Sequence, residues 1–166
     1  MNQYLTFSLD DHLYGVPVSY INSVLDPQAI TPLPHVNSII TGLTNVRGNV
    51  VPMFNPREAL KMTKIEDKIH SSEAAALDDG TEKGIIIFEI ENGTLLPFIG
   101  IQVDKIGKVM NLPEEELAPV PDFLPDAAKR LFEGFYILGN TRLNIINLRL
   151  ISSRETLFNY EGASRA

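Results

Sequence analysis

Alternation of apolar and polar residues with a period of two runs through most of this chain and predicts short β-strands. "YLTFSL" (residues 4–9) alternates, "DDH" breaks it as a turn, and "LYGVPVSYINSVLD" resumes extended character, giving an N-terminal hairpin. Pro17 lacks an N–H and marks an edge or a bulge, and Pro52 does the same inside "NVVPMF". "ITPLPHV" reads as an extended connector, and "NSIITGLTNV" as a short helical turn capped by Asn37 and ending at Gly42. A hairpin turn follows at Arg47-Gly48-Asn49. Further on, "GIIIFEIE" is a strand and Asn92-Gly93 a turn, while "LLPFIGIQVDKIGKVMNL" gives two strands punctuated by Gly100 and Gly107. Glu114 to Glu116 open a short helix, "DAAKRLFE" forms another ending near Gly134, and a last hairpin turns at Gly139-Asn140. Arg149 to Tyr160 reads as a terminal helix followed by a frayed tail.

Residues 61–83 interrupt this pattern with a polar, charged, small-residue composition that reads as a connector. The flanking blocks share an outline of short strands with Gly and Pro turns, which predicts an all-β fold of two small barrels. The expected division is one domain over residues 2–160. Within it, a first subdomain covers about 2–62, the connector about 63–83, a second subdomain about 84–151, and a helix and tail 152–166.

Composition narrows the chemistry. With 21 acidic against 14 basic side chains the net charge is −7, which disfavours binding to nucleic acid or anionic lipid. The absence of cysteine excludes disulfides, thiolate metal sites and cysteine nucleophiles. No signal-like start and no apolar run of membrane-spanning length occur, so a cytoplasmic protein is expected. His12, His35 and His70 lie in a turn, a connector and the polar stretch, without ligand-type partners at helical spacing. No nucleotide-binding or hydrolase motif is present, so neither a cofactor nor a catalytic role is expected. That leaves Arg47 and Arg57. Arg47 on its turn has three readings: a structural donor to loop carbonyls, half of an anion clamp with Arg57, or an interface contact. Composition and periodicity leave all three open.

Several motifs in order resemble the CheW family of bacterial chemotaxis adaptors. They are Phe7, Leu9 and Tyr14-Gly15-Val16; then Gly42, Asn45, Arg47, Gly48, Val50, Pro52 and Arg57; then Gly100, Val103, Asp104, Ile106 and Val109; and finally Pro119, Pro121 and Gly134. The resemblance implies two five-stranded SH3-like barrels with a groove between them. It implies a non-catalytic adaptor that binds the regulatory domain of a CheA-type histidine kinase and the cytoplasmic tip of chemoreceptors, with self-association in arrays. By position it assigns Ile21, Ser23 and Val24 to kinase contact, and Asn45, Arg47, Gly48, Ile86 and Gly100 to receptor contact. Asn55 and Ser23 stand where the family often has acidic residues, and the polar stretch is long. These departures point to a specialised adaptor, such as one controlling pili or gliding. The competing class is a small-ligand or anion-binding β-barrel module.

Overall fold

The structure, a computed structural model, describes residues 2–9, 12–32, 40–54, 81–90, 97–123, 129 and 131–151. Among these residues ten strands form one connected sheet. They are β1 (Asn2–Leu9), β2 (His12–Pro17), β3 (Ile21–Leu25), β4 (Thr31–Pro32), β5 (Ile40–Val46), β6 (Asn49–Phe54), β7 (Thr81–Glu89), β8 (Phe98–Leu112), β9 (Phe132–Leu138) and β10 (Thr141–Ile146). Short 3-10 turns occupy Val18–Tyr20 and Glu114–Glu116, and one helical turn spans Leu148–Ile151.

The pairings close into two five-membered rings that share β8. In ring A, the second half of β8 pairs with β1, β1 with β2, β2 with β10 and β10 with β9. Ala118, just beyond β8, bridges back to Phe135 of β9 and completes the circuit. In ring B, β3 pairs with β7, β7 with the first half of β8, β8 with β6, β6 with β5 and β5 with β4. The chain itself joins β3 to β4, so these two act as one bent member. Closure leaves few free edges, which is how small all-β domains limit unwanted pairing.

This pairing corrects the division of the chain into sequential blocks of about 2–62 and 84–151. The first hairpin joins the last two strands in ring A, while β7 and half of β8 complete ring B with β3 to β6. Periodicity identifies a strand but carries no information about a partner a hundred residues away. Other local expectations also change. Residues 40–46 are strand β5 and not a helical turn, since Gly42 sits within the ladder opposite Pro32. β8 is one strand of 15 residues and not two. Phe132 already opens β9, so a helix does not continue to Gly134. Asn37, the Asn92-Gly93 turn, most of the polar stretch and residues 152–166 lie outside the described residues.

A β-bulge lets β8 serve both rings. Register slips where Leu5 pairs with Val109 but Phe7 with Ile106, leaving an extra residue in β8 at the bend. The Thr6 hydroxyl donates 2.8 Å to the Lys108 carbonyl there, which accounts for a buried threonine in an otherwise apolar strand. The largest core cluster fills the seam between the rings and draws on both. Leu5, Phe7, Tyr14 and Val16 come from the ring A side, Phe54, Ile86 and Phe88 from the ring B side, and Ile99, Ile101 and Val103 from the shared strand. Phe7 stacks on Tyr14 and Tyr14 on Phe132, with centroids 5.7 and 6.5 Å apart. Each fully buried large apolar side chain contributes about 1.5–3 kcal/mol, so this seam binds the rings into one body.

β7 shows how sequence dictates this arrangement. Ile86 and Phe88 enter the seam, whereas Ile85 and Ile87 enter the ring B interior with Val51 and Met53. A strand buried on both faces has no polar face, and "IIIF" is the result. Ring A has its own interior of Tyr4, Leu13, Leu112, Tyr136, Leu143 and Ile145. The Tyr4 and Tyr136 hydroxyls lie 3.3 Å apart within it. Burial, together with the Tyr4 partner, pushes the Tyr136 hydroxyl well above its ordinary pKa.

Candidate protein-docking site

β5 and β6 form a hairpin closed by Arg47 and Gly48, with Val46 paired to Asn49 on either side. Both turn residues have positive φ, 52° and 84°, the combination of a type I′ turn. That turn matches the right-handed twist of the flanking strands, and glycine takes its second place at no steric cost. Arg47 is the one non-glycine residue at positive φ among the described residues, a conformation that costs about 1–2 kcal/mol for an ordinary side chain. Asn45 offsets part of that cost: its Oδ1 accepts the Gly48 N–H at 2.9 Å. The spacing Asn-x-Arg-Gly therefore has a mechanical basis, a side-chain clasp across the turn.

Below the tip, the Gln28 amide donates to Thr44 Oγ1 at 2.7 Å and to the Asn45 carbonyl at 2.9 Å. Thr44 Oγ1 in turn donates to the Ala29 carbonyl at 2.9 Å. This network ties β5 to the segment joining β3 and β4 and makes the hairpin a rigid mount. Asn45, Arg47, Gly48 and Val50 are exposed on it, and Val50 keeps 63% of its surface accessible. No described residue forms an ion pair with Arg47. An exposed, weakly hydrated guanidinium on a braced turn is of the residue type enriched among interface hot spots. Val50 was missed as a site residue, although alternation in "NVVPMF" turns it outward once Val51 and Met53 point inward.

The other expected contact residues divide. Among the described residues β3 pairs only with β7, and none of them pairs with its second edge. A bulge at Asn22 is held by Asn22 Nδ2 donating to Glu89 Oε2 at 3.1 Å, and Ser23 Oγ donates to Asn22 Oδ1 at 3.1 Å. Val24 is 46% accessible on this edge strand, Ser23 is half-buried, and Ile21 packs against the seam. Ile86 and Gly100, expected at the receptor contact, are both buried. Ile86 is fully buried in the seam. Gly100 is buried where a Cβ would lie 2.6 Å from Met53 Sδ and 3.0 Å from Ile87 Cδ1, so it is a packing glycine. Arg57 and Asn55 lie outside the described residues.

At the base of the hairpin, the described residues of β6 that pair with β8 are Met53, opposite Gly100, and Phe54, opposite Ile101. β8 takes up β1 from Lys105 onward. Near this junction lies a groove of ≈ 440 Å³ whose lining includes Thr41, Met53, Phe54, Gln102, Val103 and Asp104. Among the described residues no cluster of three or more His, Asp or Glu side chains is arranged to hold a metal ion. His12 opens β2 and does not sit in the turn before it. No helix among the described residues is long and apolar enough to cross a membrane.

Comparison with known proteins accords with this geometry. The CheW-like domain family matches residues 3–155. The chemotaxis protein CheW of Treponema pallidum (strain Nichols) is 25% identical over 156 residues, covering 92% of this chain and 84% of that protein. The chemotaxis protein CheW of Klebsiella aerogenes is 24% identical over 154 residues, covering 92% and 83%. The crystal structure of the scaffolding protein TtCheW from Thermoanaerobacter tengcongensis superposes with a TM-score of 0.68 at 25% identity, covering 92% of this chain and 89% of that one.

Proposed function

The chain belongs to the CheW-like domain family and is a chemotaxis coupling scaffold, and from that premise we propose how its surfaces are used. The β5–β6 hairpin, with Arg47 and Val50 at its tip, docks the cytoplasmic tip of a chemoreceptor. The second edge of β3, at Val24, meets the regulatory domain of a CheA-type histidine kinase. Both partners place the protein in the cytoplasm, and neither role requires catalysis. The observation that carries the receptor assignment is Arg47: a charged residue held in a left-handed conformation, exposed and unpaired by any described residue. Backbone strain of this kind persists where a side chain must be aimed. The anion-clamp reading draws no support from the similarity to chemotaxis scaffolds, and its second arginine, Arg57, lies outside the described residues.

Binding of the purified chain to a receptor cytoplasmic fragment and to the kinase regulatory domain tests the proposal. Dissociation constants on the order of micromolar are expected for a transient signalling contact. Arg47→Ala weakens receptor binding about ten-fold or more and leaves kinase binding and the melting temperature near wild type. Val24→Asp does the converse. A folded protein that binds neither fragment, or an Arg47→Ala variant that loses stability with receptor binding unchanged, would sink it.

A further inference from the structure

Near the turn, Asn45 obtains a donor that the β4–β5 ladder does not reach. Among the described residues β4 pairs with β5 at Thr31, opposite Leu43, and at Pro32, opposite Gly42, so this ladder comes no nearer the turn than Leu43. Gln28 takes over from the segment between β3 and β4. Its Nε2 carries two hydrogens and meets two oxygens, Thr44 Oγ1 at 2.7 Å and the Asn45 carbonyl at 2.9 Å. Thr44 is buried, and its own hydroxyl donates to the Ala29 carbonyl at 2.9 Å. Asn45 is thereby held twice: Gln28 fixes its carbonyl, and its side-chain Oδ1 accepts the Gly48 N–H. A continuous set of hydrogen bonds runs from Ala29 to Gly48, and its last link spans Arg47.

Gln28 is itself exposed, so its hydrogen bonds compete with water and add little to global stability. Arg47, by contrast, holds φ at 52°, a conformation that persists only while its surroundings over-determine it. A small loss at the brace therefore registers first in the turn. Released from Gln28, Asn45 no longer presents a fixed Oδ1 to Gly48. The guanidinium must then be ordered anew at each encounter, at a cost in affinity. We propose that Gln28 is a positioning residue for docking, acting through Asn45 to hold the Arg47 turn in the geometry its partner meets. The inference rests on the receptor-docking reading of the hairpin and adds to it a residue outside both of its strands.

Gln28→Met in the full chain keeps the length of the side chain and removes both donors. It is expected to bind the receptor cytoplasmic fragment about five-fold more weakly, while kinase-domain binding and the melting temperature stay near wild type. In the free chain the Gly48 amide should exchange with solvent several-fold faster, read by NMR. Added to Arg47→Ala, Gln28→Met should cost no further receptor affinity, since both act through one side chain. A full additional loss in that background would make Gln28 a direct contact and overturn the proposal. So would wild-type receptor binding by Gln28→Met, or a lowered melting temperature accompanied by equal losses toward both partners. An Arg47→Ala variant that binds the receptor fragment like wild type sinks the docking reading itself. Gly48 exchange then judges the brace alone: a faster rate in Gln28→Met upholds it, and an unchanged rate overturns it.

Discussion

Gly42 in ring B and Gly134 in ring A occupy matching places. Each sits at the pairing that closes its ring, Gly42 opposite Pro32 and Gly134 beside the bridge between Ala118 and Phe135. A Cβ on Gly42 would lie 2.3 Å from the Thr31 carbonyl oxygen, and one on Gly134 2.2 Å from that of Ala118. Both contacts are with backbone, which cannot swing aside as a side chain can. Two rings without matching sequence have met one problem, the final approach of strands around a small circumference, with one residue type. What they present outward differs. Ring B offers a cation and an apolar side chain on a braced hairpin, whereas ring A exposes the carboxylate of Glu133 on β9. Closure is shared architecture, and docking chemistry is particular to each ring.

The largest effects fall on closure. Gly42→Ala and Gly134→Ala should each lower stability by about 3 kcal/mol, read from denaturant midpoints. A variant that unfolds like wild type would mean that its ring is not closed by the backbone contact seen here. Next comes the bend that lets the rings share β8. Thr6→Val leaves the Lys108 carbonyl without its donor and should lose about 1–3 kcal/mol with an unchanged denaturant slope. A wild-type midpoint would remove the bulge from any account of how the rings are joined. The smallest effect concerns Glu133, on β9 of ring A. Because the Glu133 carboxyl is raised, folding favours its protonated form. Its contribution to stability is fully present below the ordinary glutamate pKa and is lost as pH rises through the higher folded value. Glu133→Gln should therefore melt slightly above wild type near neutrality, and the gap should close as the solution is acidified. A gap that does not vary with pH would show that the carboxylate is fully hydrated.

The elements were legible where one face or both faces of a strand left a pattern. The alternation in "YLTFSL" and the turn at Arg47-Gly48 both predict what is seen. The same logic locates Ile86 in the core: four apolar residues in a row from Ile85 to Phe88 are the mark of a strand buried on both sides. The family resemblance pointed instead to a contact residue, whereas the side chain lies in the core. Gly100 misled twice, once as punctuation between two strands and once as part of a docking surface. Its real constraint, the thioether of Met53, comes from a residue 47 positions earlier and is invisible locally. Ring membership was unreadable for the same reason. The partners of β1 are β2 and β8, and nothing in Asn2 to Leu9 names residues 105–112.

The sharing of β8 also fixes an order of events during synthesis. Every strand of ring B lies between Ile21 and the first half of β8, so its complement is complete once Ile106 has left the ribosome. Ring A draws on both extremes of the chain and waits for β10, which ends at Ile146. Until then Tyr4 and Leu13 belong to a ring A interior whose other contributors, Tyr136, Leu143 and Ile145 among them, are still being translated. The nascent chain thus has an interval in which ring B can form and β1 can join β8, while β2 still lacks its neighbour β10.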